Sequence, residues 1–328
     1  MDEKRRNDNV NIRTIRRNEN HWNKYYSSHK IVTISISKLS FEMIESFFHE
    51  CIRKFSLTSK ELNNMKFIMT DIFKLAKKRK LIVENPMLEV EINTNACRPA
   101  KKQNDLSRVY LPDEKEKLFY DLNNEIMENP DNTDAYAIFI LFKLGLRIGE
   151  VVAIKRADID FKTCEIHIHR METIREDSTG KLIPMIEEYT KKKSPYGDRF
   201  LPLSQYEISL FETVEKVNED NGFHDDDFVF CDTVGRTKIR EIDNRIRKLC
   251  NRADIDVKSA HDIRRTVASE MFNNSVPVQI ISNYLGDADV KTTWGYILDN
   301  HKKEETARII IDSLNSLSGF KRTQNLQK

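Results

Sequence analysis

The most constraining stretch of this 328-residue chain is Tyr136–Leu144 (YAIFILFKL), in which Lys143 is the only charged residue. A helix this apolar on nearly every face has to be buried, so the domain that holds it is built around it. Gly145 follows directly and is placed to cap that helix. No apolar run reaches the roughly 18 residues a membrane-crossing helix needs, and the opening MDEKRRNDNV has no signal-peptide core. The cysteines, Cys51, Cys97, Cys164, Cys231 and Cys250, are odd in number and include no CxxC pair, so neither a disulfide framework nor a zinc site is suggested. A membrane or secreted protein is therefore not expected, and a cytoplasmic one is.

Around the buried run the apolar period divides the chain. Phe41, Ile44, Phe48, Cys51, Ile52 and Phe55 recur at helical spacing, with Ser40 as N-cap. A second helix from about Ser59 carries Leu62, Met65, Ile68, Ile72, Leu75 and Ala76 on one face and ends in the cluster Lys77, Lys78, Arg79, Lys80. Asn85-Pro86 closes this unit. The expected organisation is a tail over 1–10, a small helical domain over 11–92, a polar linker over 93–106, and a second domain over 107–328. In the second domain Pro112 begins a helix, and a short helix after Arg147 carries Glu150. Cys164–Arg170 (CEIHIHR) and Leu182–Tyr189 alternate as strands do about a turn at Ser178–Gly180. A turn at Ser194–Asp198 then leads to Phe200–Leu203. The remainder reads as helical, with breaks at Glu219–Asp227 and around Gly235. The fold class is mainly α with a small antiparallel β-sheet.

A net charge of +2 conceals an asymmetry. Residues 1–104 hold 21 basic against 12 acidic side chains, and the remainder holds 33 against 40. A basic half of this kind suits contact with a polyanion.

Four patterns in the second half stand in a fixed order: Leu144-Gly145-Leu146-Arg147-Ile148-Gly149-Glu150, the run Lys191-Lys192-Lys193 before a turn, His261-Asp262-Ile263-Arg264, and Leu285-Gly286-Asp287 followed by Thr292-Thr293-Trp294-Gly295-Tyr296. With them the chain resembles the tyrosine recombinase (integrase) family, particularly the integrases of phages and conjugative transposons. The likeness extends from about residue 12 to 318.

Metal-independent cleavage of a phosphodiester needs cations or donors around the non-bridging oxygens, where the transition state concentrates charge. Arg147 and Arg264 suit this, because a guanidinium grips phosphate bidentately and stays charged. Glu150, three residues after Arg147, is expected to orient it. His261 shares a helix face with Arg264 and can donate to the phosphate or take the nucleophile's proton. Tyr296 is the expected nucleophile, giving a 3′-phosphotyrosyl link and a free 5′-hydroxyl, and no ATP is consumed. The resemblance places a lysine acting as general acid on the hairpin; Lys191 is preferred and Lys193 is the rival. At position 287, where the resemblance leads one to expect His or Trp, the chain has Asp. Asp287 is either protonated by desolvation, or turned towards an Arg or Lys, or a mark of weakened activity. The working expectation is an active enzyme lacking one donor, in which Asp287→His raises the cleavage rate.

The resemblance further implies double-stranded DNA with a specific recombination site as partner, a homo-oligomer on DNA (a dimer per site, a tetramer in synapsis), an accessory directionality factor, no cofactor, no metal, and a nucleoid-associated location. Residues 11–92 would be the core DNA-binding domain, with Arg16, Arg17, Lys77, Lys78, Arg79 and Lys80 on phosphates and Lys101, Lys102 and Lys193 also near the backbone. A helix at about 303–318 would dock into a neighbouring protomer, and truncation after Asn300 would then abolish synapsis. An arm-type domain before the core-binding domain is not expected. A catalytically weak DNA-binding relative and a monomeric type IB topoisomerase-like enzyme are the alternatives.

Overall fold

A computed structural model of the chain describes residues 12–99, 105–188 and 196–298, with Ile310, Ile311 and Leu314 beyond them. The chain divides into two compact units, one of residues 1–102 with 174–183, the other of 103–173 with 184–328.

In the first unit α1 (Ile12–Tyr25), α2 (Phe41–Phe55) and α3 (Ser59–Lys78) surround one core. Ser40 accepts the Met43 amide, as its N-cap position requires. Thr58 and Glu61 cap α3 reciprocally, satisfying two amides that the first turn leaves without helical partners. The buried stripe of α3 runs through Leu62, Met65, Ile68, Met69, Phe73 and Ala76; Phe73 is in the core where Ile72 and Leu75 were expected, both of which are half-buried. Tyr26 is buried, stacks on Trp22 with ring centroids 5.1 Å apart, and donates its hydroxyl to the Met65 carbonyl at 2.8 Å. Residues 93–98, expected to open the linker, belong to this unit. Cys97 joins its core and the Arg98 amide donates to the Leu57 carbonyl at 2.8 Å.

The second unit is assembled around the apolar run. α5 (Thr133–Leu144) buries all but two of its residues, inside a core that also takes in α4 (Pro112–Glu128), α7 (Gln205–Asn221), α8 (Ile239–Arg252) and α9 (Ala260–Asn273). Gly145 ends α5 at φ +62°, and a Cβ there would lie 2.9 Å from Val267, so both the turn and the packing call for glycine. α6 (Ile148–Val151) follows.

The sheet is not the single expected one. β1 (Ile159–Asp160), β2 (Glu165–Ile168) and β5 (Arg199–Pro202) form an antiparallel sheet with β2 central and Ile166 opposite Leu201, while β3 (Arg170–Glu176) pairs with β4 (Leu182–Glu188) in a separate ribbon. The expected strand breaks at His169, where the side chains of His169 and Arg170 both meet the buried Asp158, at 3.0 and 2.5 Å. A two-residue pair, β6 (Cys231–Asp232) with β7 (Gly235–Arg236), lies where only a break was expected. α10 (Val278–Leu285) and α11 (Val290–Trp294) complete the unit. Among the described residues no helix is long and apolar enough to cross a membrane.

Candidate active site

The loop leaving α5 puts Arg147 at the N-cap of α6. Its Nη1 donates to Glu150 Oε1 at 2.8 Å, while its Nη2 donates to the Gly286 carbonyl at 3.0 Å and to Asp287 Oδ1 at 2.8 Å. Glu150 has no exposed side-chain surface and is met from the other side by Arg199, whose Nη2 lies 3.0 Å from Oε2. Burial alone would raise the Glu150 carboxyl, but Arg199 and Arg147 outweigh it and hold the group at about 2.

Arg264, on α9, is 1% exposed. It donates from Nη1 to the Gly145 carbonyl at 3.0 Å, and from Nη2 to the Leu285 carbonyl at 2.6 Å and Asp287 Oδ1 at 2.8 Å. Burial, followed by the charge of Arg147, pulls this guanidinium below its usual value, against the pull of Glu150 and Asp287; an arginine stays protonated all the same. Asp287 is thus the second of the three expected cases. One oxygen bridges Arg147 and Arg264, and the other accepts the Thr293 hydroxyl at 3.0 Å.

The end of α10 organises all three arginines. The consecutive carbonyls of Tyr284, Leu285 and Gly286 accept from Arg199 at 2.7 Å, Arg264 at 2.6 Å and Arg147 at 3.0 Å. These are the groups a helix C-terminus leaves without internal donors. Gly286 turns the chain at φ +70°, where a Cβ would stand 2.6 Å from the Tyr196 carbonyl oxygen. In this hydrogen-bonded cluster three guanidiniums face two carboxylates, an excess of one positive charge among the described residues.

Tyr296 comes back to the same helix from the far end of α11. Its ring meets the His261 ring edge-on with centroids 5.0 Å apart, and the Arg264 and Arg265 guanidinium carbons lie 6.0 and 5.2 Å from its centroid. Partial burial, then the charges of Arg265 and Arg264, lower the His261 pKa, which favours the neutral imidazole that accepts a proton.

Arg147, Glu150, His261, Arg264, Asp287 and Tyr296 are therefore brought together. Lys191 and Lys193, like Lys101 and Lys102, lie outside the described residues, as does most of the expected helix at 303–318, of which Ile310, Ile311 and Leu314 are exposed. In the first unit Arg17, Lys77, Lys78, Arg79 and Lys80 are exposed. Arg16 is half-buried and donates to the Gly180 carbonyl at 3.1 Å, with Glu176 at 3.4 Å. Arg199 and Thr293 were missed. The signal for Arg199 is its position two residues before Leu201 on β5, which puts it on the inward face of that strand.

Residues 112–303 match the model of the phage integrase family. The chain is 25% identical over 314 residues to a XerC-like tyrosine recombinase of Caldanaerobacter subterraneus, covering 91% of this chain and 76% of that protein. It is 23% identical to the ICEBs1 integrase of Bacillus subtilis, over 86% of this chain and 73% of the other. Among solved structures, the Tn1549 transposon integrase in complex with a circular intermediate DNA superposes with a TM-score of 0.72 at 18% identity, covering 95% of this chain and 97% of that one. At such identity the likeness is one of fold.

Proposed function

The chain belongs to the phage integrase family of tyrosine recombinases, and we propose that it cleaves and rejoins DNA strands at a specific site with Tyr296 as nucleophile. The observation that carries this reading is the meeting of Tyr296 with His261 and Arg264 on one side and the joining of Arg264 to Arg147 through Asp287 on the other. The Tyr296 phenolic oxygen attacks phosphorus as its proton passes to His261. The bond from phosphorus to the 5′-oxygen breaks, and that oxygen takes a proton from Lys191 or Lys193. Arg147 and Arg264 hold the non-bridging oxygens as charge builds on them. The cluster's excess of one positive charge matches the single negative charge of a phosphodiester. Glu150 and Arg199 orient Arg147. Asp287 is the shared counter-ion of the two phosphate-holding arginines and not a substitute donor.

Double-stranded DNA is the proposed partner, which the Tn1549 integrase–DNA complex supports. Arg17, Lys77, Lys78, Arg79 and Lys80 would neutralise phosphates from the first unit, with Arg16, Lys101, Lys102 and Lys193 as further contacts. A dimer on each site and a tetramer in synapsis, joined through the segment 303–318, belong to the same proposal, as does an accessory directionality factor.

The test is a nicked suicide duplex taken from the junctions flanking the gene, followed by denaturing electrophoresis. A covalent protein–DNA adduct that disappears in Tyr296→Phe is the expected result. DNA binding without any adduct would overturn the reading in favour of a binding protein.

A further inference from the structure

Beyond α11 the amides of Gly295, Tyr296 and Ile297 still donate back to the Lys291 and Thr293 carbonyls, which leaves the carbonyls of Gly295, Tyr296 and Leu298 and the Leu298 amide to be met from outside that helix. One face of α9 meets them. His261, Arg265, Ser269 and Asn273 stand four residues apart and so line up along the helix, and each meets this stretch in turn. His261 meets the Tyr296 ring edge-on. Arg265, 9% exposed, donates from Nη1 to the Gly295 carbonyl at 3.0 Å with its guanidinium carbon 5.2 Å from the ring centroid. The Ser269 oxygen accepts the Leu298 amide at 2.9 Å and lies 3.4 Å from the Tyr296 carbonyl, and Asn273 donates to the Leu298 carbonyl at 3.4 Å.

We propose that Arg265 is a positioning residue for strand cleavage: by gripping the carbonyl before Tyr296 and packing against its ring, it sets the line along which the phenol approaches phosphorus. Ser269 and Asn273 hold the following residues so that this grip acts on a fixed segment. Arg264, one residue earlier, serves the phosphate, and α9 therefore aligns both reactants. The inference rests on the reading of Tyr296 as nucleophile.

Misplacing a reacting group by about 1 Å costs roughly 100-fold in rate. Arg265→Ala should accordingly lower the single-turnover cleavage rate on the nicked suicide duplex by about 100-fold, with affinity for the same duplex unchanged. Arg265→Lys, which restores a donor and a charge, should recover much of the loss. A second duplex with sulfur in place of the bridging 5′-oxygen separates the roles, because a thiolate leaves without a general acid. The Arg265→Ala defect should persist on it. A defect that vanishes on the sulfur duplex, a rate close to wild type, or a loss explained by weaker DNA binding would each overturn the proposal. Arg265→Gln keeps a donor to Gly295 and provides the same comparison should the alanine variant fail to fold. Absence of any Tyr296-dependent adduct with the wild-type chain would remove the reading of Tyr296 and this inference together, whereas an Arg265→Ala adduct formed at wild-type rate removes only the inference.

Discussion

Replacing Arg199 should destabilise the second unit more than removing an ordinary ion pair would. Arg199 gives hydrogen bonds to both Glu150 oxygens and to the Tyr284 and Gly197 carbonyls, with the arginine side chain 8% exposed and the glutamate not at all. Arg199→Met preserves the apolar stem and deletes these bonds, leaving a buried carboxylate compensated from one side only. Breaking a buried pair in this way costs about 3–5 kcal/mol, and at roughly 2–4 °C per kcal/mol for a domain of this size the melting midpoint should fall by about 10 °C. Glu150→Gln should also destabilise, since it removes the charge that two guanidiniums share and turns one acceptor oxygen into an NH2 donor facing them. The double variant removes both charges, so its loss should fall short of the sum of the singles by at least about 1 kcal/mol. Urea unfolding followed by fluorescence isolates the unit: the chain has two tryptophans, Trp22 and Trp294, and a Trp22→Phe background leaves only the reporter beside the site. A single-variant loss below about 1 kcal/mol, or strict additivity of the two, would refute the reasoning, because neither fits a buried, mutually dependent pair.

Three further outcomes are expected. Glu150 sits at about 2 in the folded chain against an ordinary 4.5, so its contribution is fully present above pH 4.5 and is lost as pH falls from there towards 2. The loss should be about 3 kcal/mol, read as a fall in urea midpoint that flattens in Glu150→Gln. Asp287→His should slow adduct formation on the suicide duplex, since it takes the shared carboxylate from Arg147 and Arg264; a faster reaction would restore the expectation of a missing donor. Gly286→Ala combines a left-handed backbone with a Cβ placed 2.6 Å from the Tyr196 carbonyl oxygen, and should cost at least about 2 kcal/mol in the same unfolding assay.

Local chemistry was what the sequence expressed best. The apolar run Tyr136–Leu144 with Gly145 behind it became the central helix and its cap, because burial on all faces and a left-handed turn are both written in consecutive residues. Arg147, His261, Arg264 and Tyr296 were found through their order along the chain, and their convergence needs α5, α9, α10 and α11 to pack. Arg199 stayed hidden because its partners are 49 and 85 residues away: its alternation with Leu201 points it inward but says nothing of what it meets there. Asp287 was noticed as an oddity, yet the choice among its three readings turned on which side chains surround it. The strand break at His169 was missed for the same reason: Asp158, which both His169 and Arg170 meet there, lies eleven residues before His169.

The end of α10 gives each of the three arginines a backbone acceptor. Tyr284 and Leu285 are its last helical residues and Gly286 reverses the winding at φ +70°, so three successive carbonyls meet Arg199, Arg264 and Arg147 from three distant parts of the chain. A side-chain substitution at Tyr284 or Leu285 leaves those acceptors in the backbone, whereas inserting or deleting a residue between Tyr284 and Gly286 would displace at least one of them. The backbone of this one helix end therefore acts as the gauge to which the arginines are set.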